Sequence, residues 1–446
     1  MKGKGQGKYA QVNLLRKSLM EQLNPKEPLL ILARRIPWDT LCAKYYGCYA
    51  GTGRPAKPIR LMLGLLLLKQ LENLSDERLI EKWVQNPYYQ SFCGVHEFQW
   101  KFPCDPSDLT YFRRRIGQEG CEQLFKVSIE LHEDKAKEAE VVIDSTVQEK
   151  AVTFPTDTKL HIKIISKCKI IARKESIALR RSFVHELPEL LRTVRFCNGK
   201  KAAHKQRRAK KRLKTIAGIL VRELSRKLTG TIICNYSEEL ALFKQVLFQD
   251  RKTKNKVYSL HEPQVACIAK GKLHKKYEFG SKVSIAMTKM TGIIVGVAHF
   301  LGNPYDGDTL DNTLNSIKST TGQLPTTVFT DRGYRGRETV QGVKVSIPSS
   351  PSKTATAEEK DLVRKNFGRR SAIEPVIGHL KSDFRLARNY LKGAIGDVLN
   401  LILAATAFNL RKWMRALPLY LFLGLQGIFT EVFAERGDLA DYVKAV

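Results

Sequence analysis

The spacing of apolar positions changes along this chain, and the changes divide it into stretches. Residues 59–73 carry a nearly unbroken apolar run at helical spacing. Ser75 then stands where an N-cap belongs, with Asp76 and Glu77 in the first turn of a second helix reaching about Val84. Two helices so closely joined are similar to a helix-turn-helix pair. A further helix is expected from Asp105-Pro106-Ser107, with Phe112 and Ile116 inward and Arg113, Arg114 and Arg115 exposed for contact with a polyanion. The β-branched run Val141-Val142-Ile143 predicts a strand ending in Asp144. Residues 159–256 are basic and mainly helical in composition. From Tyr277 the period becomes two, and residues 282–288 and 293–300 read as a strand pair turned at Met290-Thr291-Gly292. A helix over 309–318, a second β-branched strand over 326–330 ending in Asp331, and a short strand over 343–347 follow, and then helices. The order is α/β.

Length and charge sharpen this picture. A chain of 446 residues with 43% apolar positions has room for several packed domains. Its 76 Lys and Arg against 44 Asp and Glu leave a net charge of +32, which repels itself and calls for a polyanionic partner, nucleic acid above all. The excess is densest in residues 200–214, where nine of fifteen positions are Lys or Arg and none is acidic. Such a stretch, with Arg207, Arg208 and Lys211 at helical spacing, suits an ordered insertion lying along DNA phosphates, salt-sensitive and blind to sequence. Nine cysteines without a Cys-x-x-Cys pair argue against a disulfide framework or a structural zinc site. The basic, Gly-rich first ten residues lead into no apolar stretch, so no signal peptide is expected. The apolar runs at 61–68 and 416–429 fall short of the roughly twenty residues of a spanning helix. The expectation is a cytoplasmic protein that uses no membrane and, lacking a Gly-x-x-x-x-Gly-Lys loop, no ATP.

Two aspartates following two β-branched strands share a cleft if those strands are neighbours in one sheet. Like charges held together need a cation between them, and Mg²⁺ accepts hard oxygen ligands while keeping positions open for water and phosphate. Two such ions about 4 Å apart serve both oxygens of an in-line displacement. A third carboxylate, Glu374, stands four residues after Arg370 and seven before Lys381. On one continuous helix Phe367, Arg370, Glu374 and Lys381 would share a face, although Pro375 requires a kink or a helix start there. Beyond it Lys381, Arg385, Arg388 and Lys392 continue a basic stripe at spacings of three and four, suited to a DNA track. Asp306, Asp308 and Asp311 form another acidic cluster, read as a turn and helix cap.

Asp144, Asp331 and Glu374, with Arg370 and Lys381, resemble the DDE transposases of bacterial insertion sequences. The match is to the group whose signature runs Tyr, two residues, Arg, three residues, Glu, six residues, Lys. The stretches Tyr258-Ser259-Leu260-His261-Glu262-Pro263, Tyr277-Glu278-Phe279-Gly280 and Gly302-Asn303-Pro304-Tyr305-Asp306-Gly307 narrow it to the insertion-sequence-five type. Phe367 departs from the signature's Tyr, and Asp308 stands where many relatives have His. The resemblance implies an RNase H-like catalytic core and a helical N-terminal domain that binds terminal inverted repeats. It also implies a homodimer or higher multimer on double-stranded DNA, with two Mg²⁺ per site (Mn²⁺ as a substitute), in the bacterial cytoplasm at the nucleoid. The expected division is 1–135 helical DNA-binding, 136–158 first core strand, 159–275 basic helical insertion, 276–395 remainder of the core and 396–446 C-terminal helices. Alternatives are a nuclease or resolvase on the same fold that does not join strands, and a non-catalytic DNA-binding relative. A covalent recombinase built on Tyr236 and His204-Lys205-Gln206-Arg207 is a chance match in so basic a segment.

Overall fold

The structure, a computed structural model, describes residues 17–50, 52, 55–196, 202–250, 252–269, 276–348 and 356–434. At its centre is a mixed seven-stranded sheet: β1 (Glu140–Glu149), β2 (Ala266–Ala269), β3 (Tyr277–Thr288), β4 (Ile294–Phe300), β5 (Thr327–Phe329), β6 (Thr339–Val340) and β7 (Val343–Ser346). The order is β2-β3-β1-β5-β7-β6, with β4 also paired to β3. β1 runs antiparallel to β3 and parallel to β5, and β5 is parallel to β7. The turn expected at Met290-Thr291-Gly292 joins β3 to β4, with Gly292 at φ +64.

β1 is longer than the sequence suggested. It passes through Asp144 and on to Glu149, because Ser145 to Glu149 keep pairing with β3 as far as Gly280. A Cβ at Gly280 would lie 1.9 Å from the Gln148 carbonyl oxygen, so only glycine lets the two strands close there. Asp144 therefore sits within a strand, not at its end.

In the N-terminal part, α1 (Ile59–Leu71) is buried at twelve of its thirteen residues, as an all-round apolar helix must be. α2 (Asp76–Gln85) starts where expected, the Ser75 hydroxyl accepting from the Arg78 N–H, and its solvent face holds Glu77, Arg78, Glu81 and Lys82. α3 (Pro106–Glu130) begins in a capping box on Asp105 and is broken at Gly117 (φ 59). Four helices, α4 (Asp157–Lys174), α5 (Glu186–Phe196), α6 (Ala203–Lys227) and α7 (Gly230–Phe248), make up the basic region between β1 and β2. They enclose their own core around Leu160, Ile164, Leu213, Leu220 and Phe243. α8 (Leu310–Thr321) packs on β4, and α9 (Ala357–Arg370) and α10 (Ile373–Ser382) precede α11 (Gly393–Ala434).

The stretch Gly393–Leu417 is long and apolar enough to cross a membrane, but 72% of its most apolar window is buried inside the protein. It packs on α3, α1 and β4, and the buried Asn409 side chain bonds both the N–H (3.0 Å) and the C=O (2.8 Å) of Ile294. That is the setting of a core helix covering a sheet edge. Its start is tied to β1 by a buried ion pair, Lys150 to Asp397 at 2.7 Å, with Glu262 at 3.4 Å from the same ammonium. Burial raises the Asp397 carboxyl above its ordinary range, and Lys150 opposes that rise. Buried charges persist only when paired in this way.

Candidate active site

The sheet register sets the site. Val142 pairs with Phe329 across parallel strands, so Asp144 and Asp331, each two residues further on, leave neighbouring chains at the same level. The charges of Asp144 and Asp331 both act on the buried Tyr334 hydroxyl, and alternation puts Asp144 on the face already occupied by Val142. That face carries a small apolar patch of Val142, Met287, Phe329 and Ile373, with Phe367, Val376 and Ile377 against it. Ile373 is the first residue of α10 and is fully buried, which seats the helix on the sheet beside the two aspartates.

Pro375 is accommodated by a helix start. α9 ends at Arg370, the chain turns through Ser371 and Ala372, and Pro375 falls in the first turn of α10, where its missing N–H costs nothing. Phe367 and Arg370 thus lie on a different helix from Glu374 and Lys381, and the single shared face expected for the four does not form. Arg370 still links the carboxylates: its Nη2 is 3.8 Å from Asp144 Oδ2 and 3.5 Å from Glu374 Oε1. Glu374 is 65% exposed, whereas Asp144 and Arg370 are each 17% exposed. Lys381 lies two turns beyond Glu374 on α10 and is half-buried. Phe367 packs edge-on to Phe329 at 6.3 Å, an apolar support under the site.

Several neighbours escaped the sequence reading. Asp306 accepts from the Ser145 hydroxyl at 2.6 Å and pairs with Lys282 at 2.9 Å, so it touches the residue next to Asp144. Its companions behave as turn residues: Asp308 pairs with Arg337 at 2.7 Å and Asp311 accepts from Gln341 at 3.1 Å. The Tyr334 hydroxyl is buried, and its pKa is raised by that burial and then by the charges of Asp144, Asp306 and Asp331. Asp331 Oδ1 accepts from the Gly333 N–H at 2.8 Å and caps the short turn that carries Tyr334. Just beyond, Arg332, Arg335 and Arg337 line an open cavity of about 950 Å³. The signals for these in the sequence were the acidic cluster at 306–311 and the arginine-rich run after Asp331, neither of which pointed to Asp144.

Among the described residues, no three His, Cys, Asp or Glu side chains lie close enough together to hold an ion. The donors at the site are nonetheless all carboxylate oxygens, two of them brought level by the sheet. That chemistry fits a hard divalent cation.

The other basic candidates fall into three groups. Arg114 and Arg115 are exposed, the latter 4.6 Å over the Tyr49 ring. Arg113 is a correction: it is buried at 4% exposure, with Nη1 and Nη2 bonded to Asp76 at 3.0 and 2.7 Å. Its guanidinium holds α3 to α2 and is not offered to solvent. The stripe from Lys381 to Lys392 is corrected too, because α10 stops at Ser382. Arg385 follows at φ +66, bonded to the Asn73 carbonyl, while Arg388 and Lys392 are exposed on the connection to α11. Arg207, Arg208 and Lys211 are exposed on α6, and residues 200 and 201 of the basic run lie outside the described residues. Tyr236 donates to Glu175 at 2.6 Å within the helical region.

Comparison with known proteins follows the same lines. The Transposase domain family (DUF772) matches residues 17–115, and the Transposase DDE domain family matches residues 251–410, which include Asp331 and Glu374. The chain is 42% identical over 176 residues to the uncharacterized protein ORF8 in nfe locus of Rhizobium meliloti, covering 38% of this chain and 85% of that protein. No solved structure matches. With a transposase domain matched over residues 17–115 and a transposase DDE domain over residues 251–410, more than half of the chain between them, the chain belongs to the DDE transposases of insertion sequences.

Proposed function

We propose that this transposase cuts DNA at the terminal inverted repeats of its insertion sequence and joins the freed ends to target DNA, with Asp144, Asp331 and Glu374 as the catalytic carboxylates. One observation carries the reading: the register that levels Asp144 with Asp331, with Arg370 reaching from Asp144 to Glu374. The strand order, antiparallel on one side of β1 and parallel on the other, supports an RNase H-like core, and the stretches at 258–263, 277–280 and 302–307 support the insertion-sequence-five type.

Asp144 and Asp331 would hold Mg²⁺ (or Mn²⁺), two ions per site, with Glu374 completing the set. Such ions would supply Lewis-acid activation of water and stabilisation of the leaving oxygen. Arg370 offsets the repulsion among the carboxylates, and its planar fork suits a phosphate oxygen as well. Lys381 is placed on the Glu374 helix to meet the same backbone. Arg114, Arg115, Arg385 and Arg388 would meet phosphates elsewhere on the duplex, and Arg207, Arg208 and Lys211 would extend the contact along it. Arg113 has no part in this. A homodimer or larger synaptic complex, without ATP, in the bacterial cytoplasm completes the proposal.

The test is a cleavage and joining assay with purified protein, Mg²⁺, a linear fragment carrying the element's ends and a supercoiled target. Wild-type protein should cut and join. Asp144→Ala, Asp331→Ala and Glu374→Ala should each abolish both steps and leave end binding intact. Wild-type rates for Asp331→Ala would sink the triad. Cutting without joining would make the protein a nuclease or resolvase, and binding without either step a non-catalytic relative. A trapped adduct on Tyr236 would replace the carboxylate mechanism by a covalent one.

A further inference from the structure

We propose that the cleft between the α2–α3 layer and the connection from α10 to α11 binds an unpaired nucleotide of the DNA, its base stacked on Tyr390. The inference rests on the transposase reading and adds to it a strand-specific subsite. The cleft has a volume of about 1230 Å³, which more than accommodates a ligand on the usual scale of roughly 300–1,000 Å³.

Its walls are of two kinds. On one side Tyr390 and Ile395 are 62% and 67% exposed, large apolar surfaces left to solvent within a cavity. On the other stands Arg114, with Arg385 and Lys392 between. The guanidiniums of Arg385 and Arg388 lie over the Tyr390 ring, 5.8 and 5.7 Å from its centre, bringing cations to a ring that stays mostly open to solvent. Asp76, at the floor, is already neutralised by Lys69 and Arg113, each at 2.7 Å. Glu77 is the remaining acid of the lining, so the cleft is cationic.

An apolar ligand would leave these cations unused, and a duplex keeps its base faces stacked within itself. A single strand offers both a base face for the ring and phosphates for the cations. The connection that bears Tyr390 also follows directly on the helix of Glu374.

The experiment uses the full-length protein without metal, so that cutting does not enter. Binding of a fluorescent oligothymidylate is compared with that of a duplex of equal length. Tyr390→Ala should weaken single-strand binding roughly tenfold and duplex binding by no more than about twofold. Tyr390→Phe should bind like wild type, and Ile395→Ser should repeat the Tyr390→Ala pattern more weakly. Photocrosslinking of an iodouracil-substituted strand should mark the peptide containing Tyr390. Equal losses for both DNA forms, or an unchanged single-strand affinity, would overturn the subsite. A protein that cuts and joins DNA but lacks this preference keeps its function and loses the subsite. One that shows the preference but never cuts does the reverse.

Discussion

Around the sheet, the charged side chains are few and each has a fixed place. Asp144 faces Arg370, Arg370 reaches Glu374, and Asp306 is held by Lys282 and Ser145. In the helical region between β1 and β2, the cations are many, and although Lys167, Arg212, Lys227 and Lys256 pair with acids, one face is left to solvent. Arg207, Arg208, Lys210 and Lys211 lie exposed along α6, and none of the four has an acid partner among the described residues. The cores differ in the same way. The sheet shares one continuous apolar cluster with the N-terminal helices and α11, running from Leu32 to Met414, whereas the basic region closes on itself. On the proposed reading, chemistry that depends on geometry falls at the sheet, whose other face belongs to the continuous cluster, and affinity that depends on summed charge falls on a unit with its own core.

The largest effect that tests this contrast comes from a single residue at the sheet. Arg370→Ala should lower cleavage by roughly 10²–10³-fold, the scale seen when one preorganised electrostatic partner is removed. End binding should change little, because one cation among many contributes little to it. Arg370→Lys should recover only part of the rate, since Nη2 alone reaches both carboxylates and a lysine lacks the further guanidinium nitrogens that suit a phosphate oxygen. Wild-type cleavage by Arg370→Ala would reduce the contact to an incidental ion pair.

Stability gives the next test. Leu220 is fully buried in the core of the helical region. Leu220→Ala should cost about 2–5 kcal/mol, and hydrogen exchange should quicken across residues 157–248 while β1 and β3 keep their protection. Leu66→Ala, equally buried but within the shared cluster, should loosen the N-terminal helices and the sheet together. A common response to both variants would show that the helical region is not a separate cooperative unit.

How far the sequence revealed this arrangement depended on how local each interaction is. Val141 to Ile143 and Thr327 to Phe329 announced strands through β-branching, and parity then levelled Asp144 with Asp331 once the strands were neighbours. The second half of β1 was hidden because Ser145, Thr146 and Gln148 are polar; all three pair with the distant β3, which helps to bury Thr146 and Gln148. Arg113 looked like a surface cation and Asp76 like a first-turn acid. Only tertiary packing makes them a buried pair. The stripe after Lys381 followed helical spacing, but the chain leaves the helix at Ser382 and Arg385 adopts a left-handed conformation that spacing does not foretell. Asp306 was legible as part of an acidic cluster, yet its link to Ser145 spans 161 positions and leaves no trace in either neighbourhood.

The smallest effect separates charge from geometry most directly. In the triple variant Arg207→Ala, Arg208→Ala, Lys211→Ala, each lost phosphate contact should shrink the slope of log affinity against log salt by about 0.9. The slope should therefore flatten by up to about three in total if all three residues contact the duplex. The loss should be the same for terminal-repeat and unrelated DNA, because phosphates carry no sequence. Once DNA is saturating, cleavage should return to the wild-type rate, since none of the three lies at the carboxylates. Measured at several salt concentrations on both DNAs, a loss confined to the terminal repeats would assign sequence reading to α6. A rate defect that persists at saturation would mean that the helical region helps to shape the site, and the division drawn between the two regions would fail.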